Sequence, residues 1–433
     1  MALATAAYAV LGVARHRTFG STGFDLGLFD QVLWHAGRLE RPASSLKGLD
    51  WILGDHLSPA LALLVPAGWL GPEGLIAAQA LVVCLAAIPI AAFAQPRVGK
   101  RGAIALAGAY LLFGGVQEAL AFDVHEVALA PLPIALAVLW ADRGQMGRAA
   151  AAALFLLLVK EDLALLVIAF GGWFAVQGHR RLGAGVAAAG AVWFVLALGV
   201  MIPAFSDGLG YAYGQAGSPF AGLEAKLRTG AYLLVAFGLV WVRSPLALLA
   251  VPLIGVRLLS AEPKHWTLED HYTLTLAPVL ALAAADALGR LRGSACAGGQ
   301  PARTVLGHLP GAVLALAVVL TPAFALPELL RPSAYRVDEA YRGAAQALAR
   351  IPPGASVTAT NRLIAHLARR DDVRLLGAGP PGTTWVAAAT TDPDPEGSFP
   401  LGDAAAVRRR LARLRDYELV ARAPGGVMVL RRR

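Results

Sequence analysis

Along its length the chain alternates long apolar runs with short polar ones. Apolar runs fall at residues 1–14, 74–94, 102–121, 126–141, 148–159, 162–177, 183–204, 229–242, 245–260, 273–288 and 308–327. A hydrocarbon core takes roughly 20 residues to cross, fewer or more with tilt and mismatch. The pattern predicts about eleven transmembrane helices, far more than a cleaved leader could explain. The first run, MALATAAYAVLGVA, is short of a span; it predicts either a helix tilted against its neighbours or a trimmed start. The run HLSPALALLVPAGWLGP at residues 56–72 is broken by Pro59 and Pro66, which predicts a re-entrant or interfacial segment. Between these two, Leu26, Phe29, Leu33 and Gly37 share one face at helical spacing. A helix over residues 26–39 is therefore expected to lie in the interface plane, with Trp34 at headgroup level.

The 433 residues are 57% hydrophobic and 15% charged, with mean hydropathy +0.58, which excludes an ordinary soluble protein. The net charge of +9 does not point to nucleic acid, because Lys and Arg sit in short loops between apolar runs and at the C-terminus. They act as topology signals. If residues 56–72 do not cross and the N-terminus is inside, the loops at 97–101, 143–148, 179–181, 243 and 290–303 all fall in the cytoplasm. The acidic and His-bearing loops then fall outside. Cys84 and Cys296 are too dispersed for a metal cluster or a disulfide framework. After residue 330 the pattern changes to a helix ended by Pro352 and Pro353, a strand at 355–359, a second helix capped by Asn361, and strand-like runs at TTWVAAAT and ELVARAPGGVMVLRRR. GAGPPG at 377–382 lacks the Lys of a phosphate loop. The expected architecture is an all-α polytopic membrane domain over residues 1–330 with a small extracytoplasmic α/β domain over 331–433.

The remaining ionisable residues are clustered. GFDLGLFDQVLWH at residues 23–35 sets Asp25 and Asp30 just behind the first apolar run. Five residues apart on a helix they project about 140° apart, so they form no single paired site unless the helix starts between them. Asp25 fits the position just before the helix, where it could equally be an N-cap with Asp30 facing water. FDVHE places Asp123, His125 and Glu126 in a tight turn between two spans. Carboxylate plus imidazole suits a divalent cation, Mg²⁺ or Mn²⁺, and equally a polar loop capping two helix ends. Lys160, Glu161 and Asp162 interrupt an apolar run over 149–176; such residues are expensive there and as a rule face a cavity. The structural alternative pairs Lys160 with Glu161 or Asp123. EDHY puts Glu269, Asp270, His271 and Tyr272 at the start of a late span, with Arg257, Lys264 and His265 nearby. Trp51, Trp69 and Trp266 fit an interfacial belt.

In order, GFDLGLFDQVLWH, GDHLSPALALLVP, AFDVHEVALAP, LVKEDLALLV and EDHYTLTLAPVL resemble the membrane-protein family called domain of unknown function 2079, which is in turn similar to the GT-C glycosyltransferases. The pattern IPPGASV…N…L…HLARR resembles the family's C-terminal part. Members are expected to carry FDFHPE where this chain has FDVHEV, so His125 is kept, the Pro is absent, and the role of Glu126 is open. The resemblance implies an acidic residue in the first outer loop that acts as general base or positions a metal or the acceptor, carried here to Asp25, with Asp30 second. It implies substrate contacts for Asp123, His125, Glu126, Lys160, Glu161, Asp162, His271 and Tyr272, with Lys160 and the His271–Tyr272 pair near a donor phosphate. Asp123 and His125 are the candidate ligands for Mg²⁺ or Mn²⁺ if a cation takes part. The implied activity is sugar transfer from a polyprenyl-phosphate donor to a cell-envelope acceptor at the outer face of a bacterial-type inner membrane. The partners are the lipid bilayer and a lipid-linked sugar, with no nucleic acid and an undefined oligomeric state. The alternative is a non-enzymatic transporter or binding protein for lipid-linked envelope precursors. Transport predicts charges along a midplane path; here they gather at one boundary, which favours surface chemistry.

Overall fold

Among the described residues, three helical stretches are long and apolar enough to cross a membrane by length and composition: Pro72–Leu111, Arg180–Phe205 and Thr304–Ala323. The computed structural model describes residues 1–206, 208, 210–294, 299–377, 381–392 and 396–433; Cys296 and residues 378–380 of the GAGPPG run lie outside them. The other expected spans are shorter or segmented, and each break has a local cause. As one rod, the 40 residues of Pro72–Leu111 would reach about 60 Å, twice the hydrocarbon core. Gly99, at φ 75° and ψ 169°, breaks the rod within the expected basic loop, a conformation that glycine adopts without the Cβ penalty. The apolar run over 149–176 breaks where expected: Met146–Phe155 ends in a 3₁₀ turn, Lys160 is extended, and Ala164–Val176 resumes the helix. Residues 56–72 form a short 3₁₀ and α segment, Pro59–Gly68.

The helix Leu276–Ser294 runs through the middle of the bundle. Its residues from Leu276 to Ala285 are all buried, as expected of a helix apolar all round. It begins four residues after Tyr272, with His271 and Tyr272 in the turn that leads into it. The helices Ala164–Val176 and Arg180–Leu196 pack backbone to backbone. A Cβ at Gly171 would sit 2.5 Å from the Ala187 nitrogen and 2.6 Å from the Gly183 carbonyl, the close approach that small residues permit between membrane helices. Gly171→Leu is expected to cost about 1–3 kcal/mol by overpacking, read as a lowered melting temperature in detergent; an unchanged melt would remove this crossing from the stabilising contacts.

The C-terminal part carries a five-stranded sheet in the order β2-β1-β3-β5-β4, with β1 Ser356–Ala359, β2 Asp372–Leu375, β3 Trp385–Ala389, β4 Tyr417–Arg422 and β5 Val427–Arg432. β1 is parallel to β2 and β3, whereas β5 is antiparallel to β3 and β4. The β4–β5 hairpin turns at Gly425 and Gly426, both at positive φ. The expected strands and the helix before Pro352, Glu339–Leu348, are present; β2 and the helix Ala404–Ala412 were not legible. Thr360, not Asn361, precedes the short helix Asn361–Ile364.

This sheet unit sits directly on the polar stretch behind helix α1 (Ala2–Arg17). The expected helix over 26–39 opens three residues earlier, as a π-turn over Gly23–Gly27, and continues as α2, Leu28–Gly37. Its Leu26, Phe29 and Leu33 face is buried as the spacing required. Trp34 is stacked by two guanidinium groups, Arg369 at 4.4 Å and Arg38 at 5.3 Å, so cation–π contacts claim the ring. Asp30 is 1% exposed and pairs with Arg369 at 3.3 Å. Burial pushes its carboxyl up to about 6 against the opposing pull of Arg369. Asp30 is thus a docking residue for the sheet unit in this structure.

In the same sheet unit, His366 stacks on His16 at 4.4 Å and lies tilted against Phe19 at 4.0 Å. Burial, with His16 adding to it, pushes the His366 imidazole down to about 3. The docked state therefore binds fewer protons than the undocked one between about pH 3 and 6.5, and its stability rises with pH there. Acidification below pH 6.5 is expected to weaken docking by up to about 1.4 kcal/mol per pH unit for this proton. His366→Phe should flatten that part of the pH dependence of thermal melting; an identical slope would exclude His366 as its source.

Candidate functional site

A cavity of about 770 Å³ lies between the helical bundle and the sheet unit. The π-turn supplies Phe24 and Asp25; the turn after the Gly114–Ala121 helix supplies His125 and Glu126; the break in the 149–176 run supplies Lys160, Glu161 and Asp162. The helix Ala250–Leu259 supplies Arg257, and the segment that follows supplies Lys264, His265, Asp270, His271 and Tyr272. The sheet unit contributes Phe399. Most of these polar groups stand at helix ends or breaks and share the wall with apolar side chains such as Phe29, Phe122 and Leu253.

One continuous charge chain crosses the wall. Asp25 Oδ1 lies 2.8 Å from His125 Nε2, His125 Nδ1 lies 3.4 Å from Glu126 Oε2, and Lys160 Nζ donates to Glu126 Oε1 at 2.6 Å. The two His125 contacts are ion pairs off hydrogen-bond alignment. Burial alone would favour a neutral His125, but Asp25 and then Glu126 outweigh it and push the imidazole up to about 9, so it is charged at neutral pH. Burial likewise works against the Lys160 ammonium, and Glu126 more than restores it. His271 stacks face to face on His125, with centroids 3.4 Å apart. Burial and then the charge on His125 hold His271 well below the usual histidine range. One ring is an imidazolium and the other is neutral.

Asp25 is the more accessible of the two carboxylates in this link: its side chain is 21% exposed, against 1% for Glu126. Besides the ion-paired atoms of His125 and Glu126, four buried polar atoms of cavity residues have no protein partner among the described residues: Arg257 Nη1, Asp162 Oδ1, His265 Nδ1 and His271 Nδ1. Buried polar groups are normally satisfied, so each is hydrogen-bonding capacity left for a ligand. The rest of Arg257 is fixed by the carbonyls of His265 and Thr267, which aim it.

Eight of the ten expected site residues line this cavity: Asp25, His125, Glu126, Lys160, Glu161, Asp162, His271 and Tyr272. Asp30 and Asp123 do not. Asp30 belongs to the docking contact described above. Asp123 is buried, accepts from the Thr22 amide at 2.7 Å and hydroxyl at 2.8 Å, and pairs with Arg15 at 3.0 Å. It holds the chain just before Asp25. The polar atoms of Asp123 and His125 are engaged by different partners, and among the described residues no group of three His, Cys, Asp or Glu is arranged to hold a metal ion.

Lys47, Asp55, His56 and Tyr213 also line the cavity and were not assigned to the site from the sequence. Glu161 is held by His56 Nδ1 at 2.7 Å and the Leu57 amide at 2.9 Å. Lys47 pairs with Asp55 at 3.0 Å, and the Tyr213 hydroxyl lies 2.7 Å from both. His56 stacks on Tyr213 at 4.5 Å. GDH at 54–56 was the available signal, an acidic and His-bearing stretch like those already singled out. Tyr213, in a loop without periodicity, offered none.

The model of the family described as predicted membrane protein (DUF2079) matches residues 15–380. The crystal structure of ArnT from Cupriavidus metallidurans bound to undecaprenyl phosphate is similar to this chain with a TM-score of 0.60 at 15% identity, covering 99% of this chain and 96% of that one. The apo ArnT structure from the same organism gives 0.62 at 15% identity over the same shares. No curated protein matches the chain. The arrangement of helices and terminal sheet is therefore an ArnT-like fold, and the chain belongs to the DUF2079 family of predicted membrane proteins.

Proposed function

We propose that this protein is a membrane-integral glycosyltransferase of GT-C type, moving a sugar from a polyprenyl-phosphate donor onto a cell-envelope acceptor. In this reading the chain crosses a bacterial-type inner membrane about eleven times, with its N-terminus inside and the cavity and sheet unit at the outer face. The observation that carries the proposal is the pairing of the accessible Asp25 carboxylate with a charged His125 in a cavity that also presents Lys160, Lys264 and the uncommitted Nη1 of Arg257. The fold is shared with a protein solved with undecaprenyl phosphate bound, a lipid of the proposed donor class.

The chemistry needs two things of these residues. As the acceptor oxygen bonds to the anomeric carbon, its proton passes to Asp25, which His125 orients. As the bond from that carbon to the phosphate oxygen breaks, the charge left on the lipid phosphate is met by the uncommitted Nη1 of Arg257, with Lys264, itself paired with Asp270 and Glu396, adding positive charge nearby in a partly water-excluded site. Lys160 is committed to Glu126 and sets the local charge rather than moving with the substrate.

The test is transfer by the purified chain in lipid nanodiscs, supplied with polyprenyl-phosphate sugars and envelope-lipid acceptors. Glycosylated acceptor above a protein-free control is the expected result. Tight binding of undecaprenyl phosphate with no transfer to any acceptor would move the protein to the carrier class.

A further inference from the structure

The π-turn bearing Asp25 is a short element with no cap of its own: Thr22 precedes it and makes no capping bond from its side chain to the turn. The first N–H groups of a helical turn have no partner inside it. Here two remote side chains supply them. Asp123 accepts from the Thr22 amide, and Asn361 Oδ1, from the sheet unit, accepts from the Gly23 amide at 3.0 Å. Asn361 is 3% exposed, and its other polar atom, Nδ2, donates to the Glu396 carbonyl at 3.1 Å, so its amide is oriented from both ends. The turn also lies hard against the same helix. A Cβ at Gly23 would come within 2.6 Å of Ile364 Cγ2, and one at Gly27 within 3.2 Å of Ala365 Cα.

Asp25 is two residues beyond the amide that Asn361 holds, and its carboxylate is directed at His125. The sheet unit also reaches the cavity at Phe399, which meets Phe24 edge-on at 5.8 Å, and its Glu396 carboxylate lies 3.1 Å from the lining residue Lys264. We infer that Asn361 is a positioning residue for Asp25, so that the C-terminal sheet unit is a structural part of the active site. This rests on the reading of Asp25 as the proton acceptor. Arg369, by contrast, grips α2 one turn further on, through Asp30 and Trp34; it holds the units together without touching the turn.

The test compares full-length variants in nanodiscs. Asn361→Leu keeps the bulk and removes both polar atoms. Asn361→Asp keeps an oxygen that accepts from Gly23, and Arg369→Gln weakens docking alone. The first readout is amide hydrogen exchange at Gly23, resolved to the residue, which needs no substrate. Exchange is expected to quicken about tenfold or more in Asn361→Leu, with the Thr22 amide still protected and with Asn361→Asp and Arg369→Gln near wild type. The second is sugar transfer: kcat is expected to fall about tenfold or more, the loss a small misplacement of a reacting group causes, with KM within about threefold and most of the rate recovered in Asn361→Asp. Unchanged exchange at Gly23 in Asn361→Leu, or an equal loss in Arg369→Gln, would overturn the inference. If Asn361→Leu does not fold, Asn361→Ser, too short to reach Gly23, takes its place against Asn361→Asp with the same outcomes. If the wild type transfers no sugar, the glycosyltransferase reading fails, while Gly23 exchange still decides whether Asn361 holds the turn.

Discussion

Replacing Asp25 by Asn is expected to lower sugar transfer by about 10²–10⁴-fold, the share that a positioned general base contributes. The amide has the size of the carboxylate but cannot take the acceptor proton. It also removes the largest favourable interaction of the His125 imidazolium, whose elevation to about 9 depends first on Asp25 in overcoming burial. The residual activity should therefore show a His125 titration moved toward neutral pH. Undecaprenyl phosphate affinity is the internal control, expected within about threefold of wild type because Arg257 and Lys264 are untouched. Steady-state kinetics over pH 5–9 on the purified variant would check both parts, and transfer at the wild-type rate would take Asp25 out of the reaction.

The largest stability effect is expected from Lys160→Met. Glu126 is 1% exposed and Lys160 12%, with 2.6 Å between their charged atoms. Removing the ammonium leaves a carboxylate buried against His125 alone, and breaking a buried pair from one side costs about 3–5 kcal/mol. Glu126→Gln in the same chain removes the stranded charge and should recover part of that loss, giving a coupling energy above about 0.5 kcal/mol in a double-mutant cycle. By comparison, Arg228 and Glu224 are 79% and 80% exposed at 2.8 Å, and water screens such a pair to about 0–1 kcal/mol. Chemical denaturation in detergent, following the single and double variants, measures all three; a Lys160→Met cost no greater than that of Arg228→Met would contradict the buried link.

What the sequence disclosed follows from how local each signal was. The break at Lys160 was legible because three ionisable residues in an apolar run have no low-cost alternative to a cavity. The separation of Asp25 from Asp30 was legible because helical spacing alone sends them to different faces. The partner of Asp30 was not, since Arg369 lies 339 residues away, and a carboxylate gives no sign of which distant guanidinium it will meet. Asp123 was misplaced for the same reason: an acid in a turn beside a His suggests a shared ligand, and only the fold turns it toward Thr22 and Arg15. Periodicity found the strands at Ser356–Ala359 and Trp385–Ala389 but passed over Asp372–Leu375, whose alternation is brief and carries two charges. The span pattern located the apolar runs, while Pro, Gly and buried charge divide many of them into helices shorter than a crossing.

The Gly23–Asn361 contact joins positions 338 residues apart, and this bears on when the protein becomes competent. Synthesis runs from the N-terminus, and every cavity residue except Phe399 has been made by the time residue 275 is added. A contact across so many residues carries a large closure entropy and forms late. A nascent chain inserted as far as its last apolar run would hold Asp25, His125, Lys160 and His271 in the membrane, with the turn under Asp25 lacking one of its two anchors. Newly inserted copies would then stay inert until the sheet unit has been translated, folded and seated.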